Sequence, residues 1–452
     1  MTETPTPASE PAPQPGTGPT APPGSGPAPP AATGPTSQPR GEPAPQSATE
    51  PTPQSPGEPA SLSAGGPAPP AATGPGSQPG GEPAPQSATG PAPPSGGEPA
   101  SPPAGGPALL DVRDLRVLFP ITRGTVFRRT VGHVHAVDGI TLGLAAAETV
   151  GLVGESGSGK TTLGRAIVGL IPPTSGTIEF RGRSLDAKDG GYRAERTQLQ
   201  MVFQDPTASL DPKWRAGASI AEPLRVNHIG TRAERRQRVR ELLEVVGLSP
   251  VHARRYPHEL SGGQRQRVGL ARALALSPAV IVADEAVSAL DVSIRAQIIN
   301  LLQQLQRELG LSYLFIAHDL AVVRHLSHRV AVMYLGQIVE QGAAADLYTD
   351  PRHPYTVSLL SAVPVPDPAA EARRERIILP GDPPNPAEPP PGCRFHTRCW
   401  LREQLGGPER CAVEEPARRQ VSAGHTAACH FTDEVPDRAA GSAAGQTAGP
   451  VP

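Results

Sequence analysis

The first 107 residues contain no aromatic side chain and only one branched aliphatic residue, Leu62. A segment so poor in apolar surface cannot offset the entropy of ordering its backbone. A disordered Pro/Ala/Gly-rich tail is therefore expected over 1–107. The string GPAPPAATGP begins at Gly26 and again at Gly66, a period of 40 residues. The repeat has no apolar periodicity to stack, which excludes a solenoid or propeller and leaves a duplicated linker. Long hydrophobic runs are also missing. No stretch approaches about 18 uninterrupted apolar residues, which excludes a bilayer-spanning helix. No basic patch leads into an apolar run at the start, so no secretory signal is expected. An excess of one charge is missing too: beyond the tail, 40 basic residues face 36 acidic ones. That balance argues against a nucleic-acid partner. Cysteine occurs four times, always between positions 393 and 429. In a cytosolic protein such a cluster reads as a metal site before it reads as disulfides.

The remaining 345 residues are enough for a large core or two lobes. LLDVRDLRVLFP (109–120) has strand spacing and is expected to stop at Pro120. Strands are also expected at 139–144 and 148–154, followed by a Gly-rich turn and a helix broken by Pro172. A strand, a turn and a short strand fit 174–185. Val239, Leu242, Leu243 and Val246 fall at helical spacing inside a mainly helical insert from about 205 to 258. AVIVADE and SYLFIAHD read as strands buried on both faces, with an amphipathic helix between them ending at Gly310. RVAVMYLGQIVEQG reads as two strand pieces around Gly336. Alternating strands and helices imply a mostly parallel α/β sheet. Residues 350–392 are Pro-rich and expected to lie extended over the surface.

GESGSGKTT (154–162) fits the phosphate-binding pattern G-x-x-x-x-G-K-[ST]. Gly154, Gly157 and Gly159, with Glu155, Ser156 and Ser158 between them, let the backbone curl and aim its N–H groups at phosphate oxygens. The following helix, carrying Thr162 in its first turn, adds its positive end. Lys160 would hold the β- and γ-phosphates of ATP, and the Thr161 hydroxyl would bind Mg²⁺. A chance glycine turn is the bland alternative, and with only three lysines in the chain a random match is rare. VIVADE supplies Asp284 at a strand end, a carboxylate for the metal, and Glu285, a carboxylate for an attacking water. LSGGQRQRV (260–268) places Ser261, Gly262, Gly263 and Gln264 at a helix start that can face an anion.

That last string resembles the signature motif of ABC ATPases, and from about 108 to 348 the chain resembles a complete ABC ATPase domain with its motifs in family order. The resemblance implies a mainly parallel sheet core, an antiparallel β subdomain and a helical subdomain. It also implies a role for three further residues. Gln204, in MVFQDP, matches the residue that contacts metal and nucleophilic water; Asp291, in SALDVS, matches the loop crossing a dimer interface; His318, in IAHD, matches the histidine at the γ-phosphate. Two departures stand out. Ala286 and Val287 replace the usual Pro-Thr or Pro-Val after the catalytic glutamate. Val131 falls where an aromatic residue normally stacks on adenine, with Phe127, His133 and His135 nearby.

HPYTVSLLSAVPVPDP and GDPPNPAEPPPGCRFHTRCW resemble the C-terminal region of oligopeptide and dipeptide importer ATPases, covering 349–432 before a second tail over 433–452. FQDPTASLDP and MYLGQIVE are more similar to the second of the two paralogous subunits such importers use. The resemblance implies ATP hydrolysis that powers peptide import at the cytoplasmic face of the membrane. Its partners would be a paralogous ATPase or a second copy, two permease subunits and an extracytoplasmic peptide-binding protein. A nickel importer or an exporter is the alternative. Cys393, Cys399, Cys411 and Cys429 follow C-x5-C-x11-C-x17-C. Four thiolates can hold Zn²⁺ or an iron–sulfur cluster; the family resemblance implies a [4Fe-4S] cluster. His396, His425 and His430 are expected to be bystanders.

Overall fold

The computed structural model describes residues 108–436 except 125–128, 186–190, 206–208, 289, 365–370 and 372–375. The expected tail over 1–107, residues 437–452 of the expected tail over 433–452, and Phe127 lie outside the described residues. The strands are β1 (Leu110–Arg123), β2 (Arg129–Leu144), β3 (Thr149–Val153), β4 (Ser175–Phe180), β5 (Arg183–Ser184) and β6 (Leu199–Val202). They continue with β7 (Val280–Asp284), β8 (Ser312–Ile316), β9 (Arg329–Tyr334), β10 (Gln337–Ala343), β11 (Arg419–Ser422) and β12 (His425–Ala427). One antiparallel sheet has the order β2-β1-β4-β5, and the other sheet has the order β11-β12-β10-β9-β3-β8-β7-β6. In the larger sheet β9, β3, β8, β7 and β6 pair in parallel, while β10, β12 and β11 extend it antiparallel.

Every residue of β3, β7 and β8 is buried. Their apolar runs serve two cores because successive side chains point to opposite faces. Val280, Val282, Leu314 and Ile316 join the core shared with the antiparallel sheet and the helix Lys160–Ile167. Ile281, Ala283, Tyr313 and Phe315 join the core formed with the remaining helices. The helices Ala216–Val226, Arg232–Val245 and Gly262–Leu274 belong to that second core through Ile220, Leu224, Val239, Leu242, Leu243, Val268 and Leu270. Thr231 starts the middle one: its hydroxyl accepts from Glu234 N at 3.3 Å, and the Glu234 carboxylate accepts from Thr231 N at 2.6 Å.

Two expectations are corrected. β1 does not stop at Pro120; it runs on to Arg123, with Pro120 opposite His133 of β2. Past Arg116 the other flank of β1 has no pairing to β4, so the missing proline donor breaks no ladder bond there. Residues 350–392 are not all extended. HPYTVSLLS contains a helix, Pro354–Ser361, whose residues are buried except Leu359. Pro354 sits at its first position, where the absent N–H costs nothing, and His353 Nδ1 caps it by accepting from Tyr355 N at 3.1 Å. Burial pushes the His353 imidazole down to about 3, which keeps Nδ1 an acceptor.

The cysteine-bearing segment is continuous with the ATPase sheet. Ala427 and Thr426 of β12 pair with Glu340 and Gln341 of β10. Fully buried Glu340 ties the join: its carboxylate accepts from Arg352 N at 2.6 Å and His353 N at 3.0 Å, and lies 2.8 Å from His425 Nε2. A buried carboxylate is tolerable only when its oxygens are satisfied in this way.

Candidate active site

The loop 154–159 connects β3 to the helix Lys160–Ile167. Gly154, Gly157 and Gly159 have φ of 153°, 78° and 102°. At Gly154 a Cβ would meet Met333 O at 2.1 Å, and at Gly159 it would meet Ala136 O at 1.9 Å. Gly154 and Gly159 are therefore required by conformation and by close backbone approach together, and Gly157 by conformation alone. Lys160 folds back over the loop, donating to Gly154 O at 2.8 Å and Glu155 O at 2.7 Å. Burial lowers its pKa, opposed by the nearby carboxylates of Glu285, Asp284 and Glu155. Ser158 is buried, Ser156 is exposed, and Thr162 lies in the first turn of the helix.

Asp284 ends β7, almost wholly buried, with Oδ1 2.9 Å from Thr161 Oγ1. Burial raises its pKa, and the Thr161 hydrogen bond opposes that shift. Glu285 follows with φ 46°, a strained conformation for a non-glycine residue. The turn is held by Glu285 N donating to Ile316 O at 2.9 Å and by the Ser288 hydroxyl donating to Glu285 O at 2.9 Å. Ala286 and Val287 are buried in the core, so the altered turn is anchored by packing. The Glu285 carboxylate is bracketed: Gln204 Nε2 donates to Oε2 at 2.7 Å and His318 Nδ1 lies 3.5 Å from Oε1. Lys160, Thr161, Gln204 and Glu285 thus line one cleft of about 230 Å³, with Asp284 joined to it through Thr161 and His318 through Glu285.

Ser261, Gly262, Gly263 and Gln264 begin the helix Gly262–Leu274 with a reciprocal cap. Gln264 N donates to Ser261 Oγ at 3.3 Å, and Ser261 N donates to Gln264 Oε1 at 3.1 Å. Gly263 is packed against Ile294, whose Cγ2 would lie 2.6 Å from an added Cβ. Asp291 precedes the helix Val292–Leu309, exposed and making no side-chain cap.

Val131 is 57% exposed, and the cleft wall on that side is made by Val134 and Ala136 instead. The C-terminal region also reaches the site, which the motifs did not signal. Pro386 lines the cleft, its carbonyl accepting from His135 N at 2.9 Å. Tyr355 Oη accepts from Glu155 N at 2.8 Å, and Arg398 pairs with the Glu155 carboxylate at 2.9 Å. The one hint in the sequence is a charged residue at a motif position that phosphate binding leaves free.

Cys393, Cys399, Cys411 and Cys429 line a single second cavity, all with free thiols. Arg402 N donates to Cys399 Sγ and Phe431 N to Cys429 Sγ, each at 3.4 Å. Burial raises all four thiols, Cys393 and Cys429 to about 12. Four soft sulfurs in one apolar cavity, two of them accepting N–H bonds, suit a thiolate-bound metal group. Among the described residues no three His, Cys, Asp or Glu side chains are gathered closely enough to hold a single metal ion. His396, His425 and His430 have other partners: Cys393 O at 2.8 Å, Glu340 at 2.8 Å and Glu414 O at 2.9 Å.

Residues 137–288 match the ABC transporter family, and residues 339–405 match the C-terminal region of oligopeptide/dipeptide transporters. The chain is 50% identical over 325 residues to the oligopeptide transport ATP-binding protein AppF of Bacillus subtilis, covering 72% of this chain and 97% of the relative. It is 51% identical over 330 residues to the oligopeptide transport ATP-binding protein OppF of Escherichia coli, covering 72% and 97%. It is 53% identical over 296 residues to a putative peptide import ATP-binding protein of Brucella ovis, covering 65% and 90%. With about 50% identity over 97% of the AppF and OppF relatives and both family models matched, the chain belongs to the ATP-binding subunits of oligopeptide ABC transporters.

Proposed function

We propose that this chain hydrolyses ATP to drive the import of oligopeptides or dipeptides. The observation that carries the chemistry is the Glu285 carboxylate, held between Gln204 at 2.7 Å and His318 at 3.5 Å beside the Thr161–Asp284 pair. Thr161 and Asp284 offer hard oxygen donors that suit Mg²⁺, and the ion would neutralise charge on the transferring phosphoryl group. Lys160 leaves its loop carbonyls for the β- and γ-phosphate oxygens. Glu285 orients and polarises the attacking water, and Gln204 and His318 fix the rotamer of that carboxylate. Each site joins residues 154–162 of one subunit to a signature helix start, such as that at Ser261, on the facing subunit. Asp291, exposed beside that surface, contributes to the interface.

The facing subunit is a paralogue or a second copy. Two permease subunits and an extracytoplasmic peptide receptor complete the assembly. Among the described residues no helix is long and apolar enough to cross a membrane. In this reading the permeases hold the chain at the cytoplasmic face. The helical insert from about 205 to 258 would receive a short permease helix, and its Ser209 and Pro223 share a groove of about 230 Å³ with Leu170, Met201 and Phe203. Phe203 adjoins Gln204, so movement of that helix reaches the site directly. The assignment of modules over 108–348 and 349–432 follows the same reading. The four cysteines would hold the [4Fe-4S] cluster that the family resemblance implies, a reading supported by their shared cavity and the N–H bonds to two of the sulfurs.

The test is uptake of labelled peptide into proteoliposomes holding the reconstituted subunits and receptor. Uptake that requires ATP inside supports the reading. ATP hydrolysis that no peptide stimulates, with no uptake, contradicts the cargo.

A further inference from the structure

We propose that Arg394 and Arg398, on the short segment between Cys393 and Cys399, are positioning residues of the nucleotide site, bracing the phosphate loop together with Tyr355. The inference rests on the reading of the 154–162 cleft as an ATP site and deepens it.

Glu155 is gripped at three points. Its backbone N–H donates to Tyr355 Oη at 2.8 Å, its carbonyl accepts from Lys160 Nζ at 2.7 Å, and its carboxylate pairs with Arg398 at 2.9 Å. The C-terminal region therefore holds the residue that holds the Lys160 ammonium. Arg398 is itself fixed: it is 7% exposed, and its Nε donates to Pro380 O at 3.1 Å. Arg394 acts on the loop through the turn between β9 and β10. It pairs with Asp138 and donates through Nη1 to Leu335 O at 2.6 Å. Leu335 and Gly336, at φ 43° and 83°, form the tight turn between β9 and β10. Gly336 N donates to Ser158 O in the phosphate loop at 3.0 Å. Between the two arginines, Phe395 is buried against Tyr334 and Tyr355, with ring centroids 5.2 and 5.3 Å away. The segment is anchored at its start by Cys393 N donating to Cys411 O at 2.9 Å.

A phosphate loop binds by aiming several N–H groups at fixed points, and disorder before binding weakens affinity. Braces that act equally on bound nucleotide and on the transition state change binding without changing the rate at saturation. Removing them should therefore raise the Kd for Mg-ATP and the KM while leaving kcat nearly constant.

The test uses the full chain, measuring Kd for Mg-ATP together with KM and kcat of hydrolysis. Arg398→Gln and Glu155→Gln should each raise Kd about tenfold, the double variant being no weaker than the worse single one. Arg398→Lys should recover part of the loss. Tyr355→Phe removes one oxygen from the fold and should raise Kd about fivefold. In Arg398→Gln and Tyr355→Phe, kcat should stay within about twofold. Should Arg398→Gln fail to fold, Tyr355→Phe and Glu155→Gln decide the matter. Unchanged Kd in those two variants, or losses from Glu155→Gln and Arg398→Gln that multiply in the double variant, would overturn the bracing. A wild-type chain that does not bind Mg-ATP would instead sink the underlying ATP-site reading.

Discussion

At the scale of single residues, the nucleotide site depends on atoms with little freedom to move. Gly159 combines φ 102° with a carbonyl, Ala136 O, 1.9 Å from where a Cβ would stand. Gly159→Ala should therefore reduce Mg-ATP affinity at least about a hundredfold, measured by equilibrium binding, because the loop must abandon its phosphate-facing shape. Near-normal affinity would show that the loop accommodates nucleotide in another form. Asp284 is a second sharp case. It is 1% exposed, and its oxygen meets the Thr161 hydroxyl at 2.9 Å. Asp284→Asn keeps the size and removes the charge, so the Mg²⁺ concentration needed for half-maximal turnover should rise at least about tenfold. The sequence made these residues legible because phosphate chemistry fixes their spacing. It did not make Tyr355, Pro386, Arg394 or Arg398 legible: Tyr355 and Arg398 meet the loop from 200 and 243 residues along the chain, and Pro386 and Arg394 bind its neighbours His135, Asp138 and Leu335.

At the scale of elements, buried strands were readable because both faces of β7 and β8 are apolar and each ends at a motif. The helix Pro354–Ser361 was hidden by prolines on either side, and only the cap explains it. Its N-cap His353 carries a testable pH signature. The folded value near 3 lies below the ordinary 6.5, so the neutral ring is favoured in the folded state. The stabilisation is complete above pH 6.5 and is lost as pH falls through 6.5 toward 3. His353→Asn replaces the capping nitrogen with a capping oxygen and removes the titration. Across pH 7 to 5 the melting temperature of the wild type should fall more steeply than that of the variant. Parallel curves would mean that the buried imidazole does not set acid sensitivity.

At the scale of the whole molecule, the cysteine-bearing region is part of the ATPase and not an appendage. β12 extends the nucleotide-binding sheet, Glu340 stitches three segments together, and Tyr355, Leu360 and Phe395 belong to the main helical core. Motif and family resemblance gave the order of the modules, but no periodicity shows that a three-residue strand from 425–427 will close onto β10. A chain ending at residue 348 should consequently be destabilised by several kcal/mol, since it would strip the cover from buried apolar surface and from Glu340. The central claim remains chemical: Glu285, placed by Gln204 and His318, carries ATP hydrolysis for transport. The most direct measurement compares Mg-ATP binding and single-turnover hydrolysis in the wild type and in Glu285→Gln. The account predicts retained binding and a rate reduced at least about a hundredfold. Hydrolysis at the wild-type rate in Glu285→Gln would contradict it.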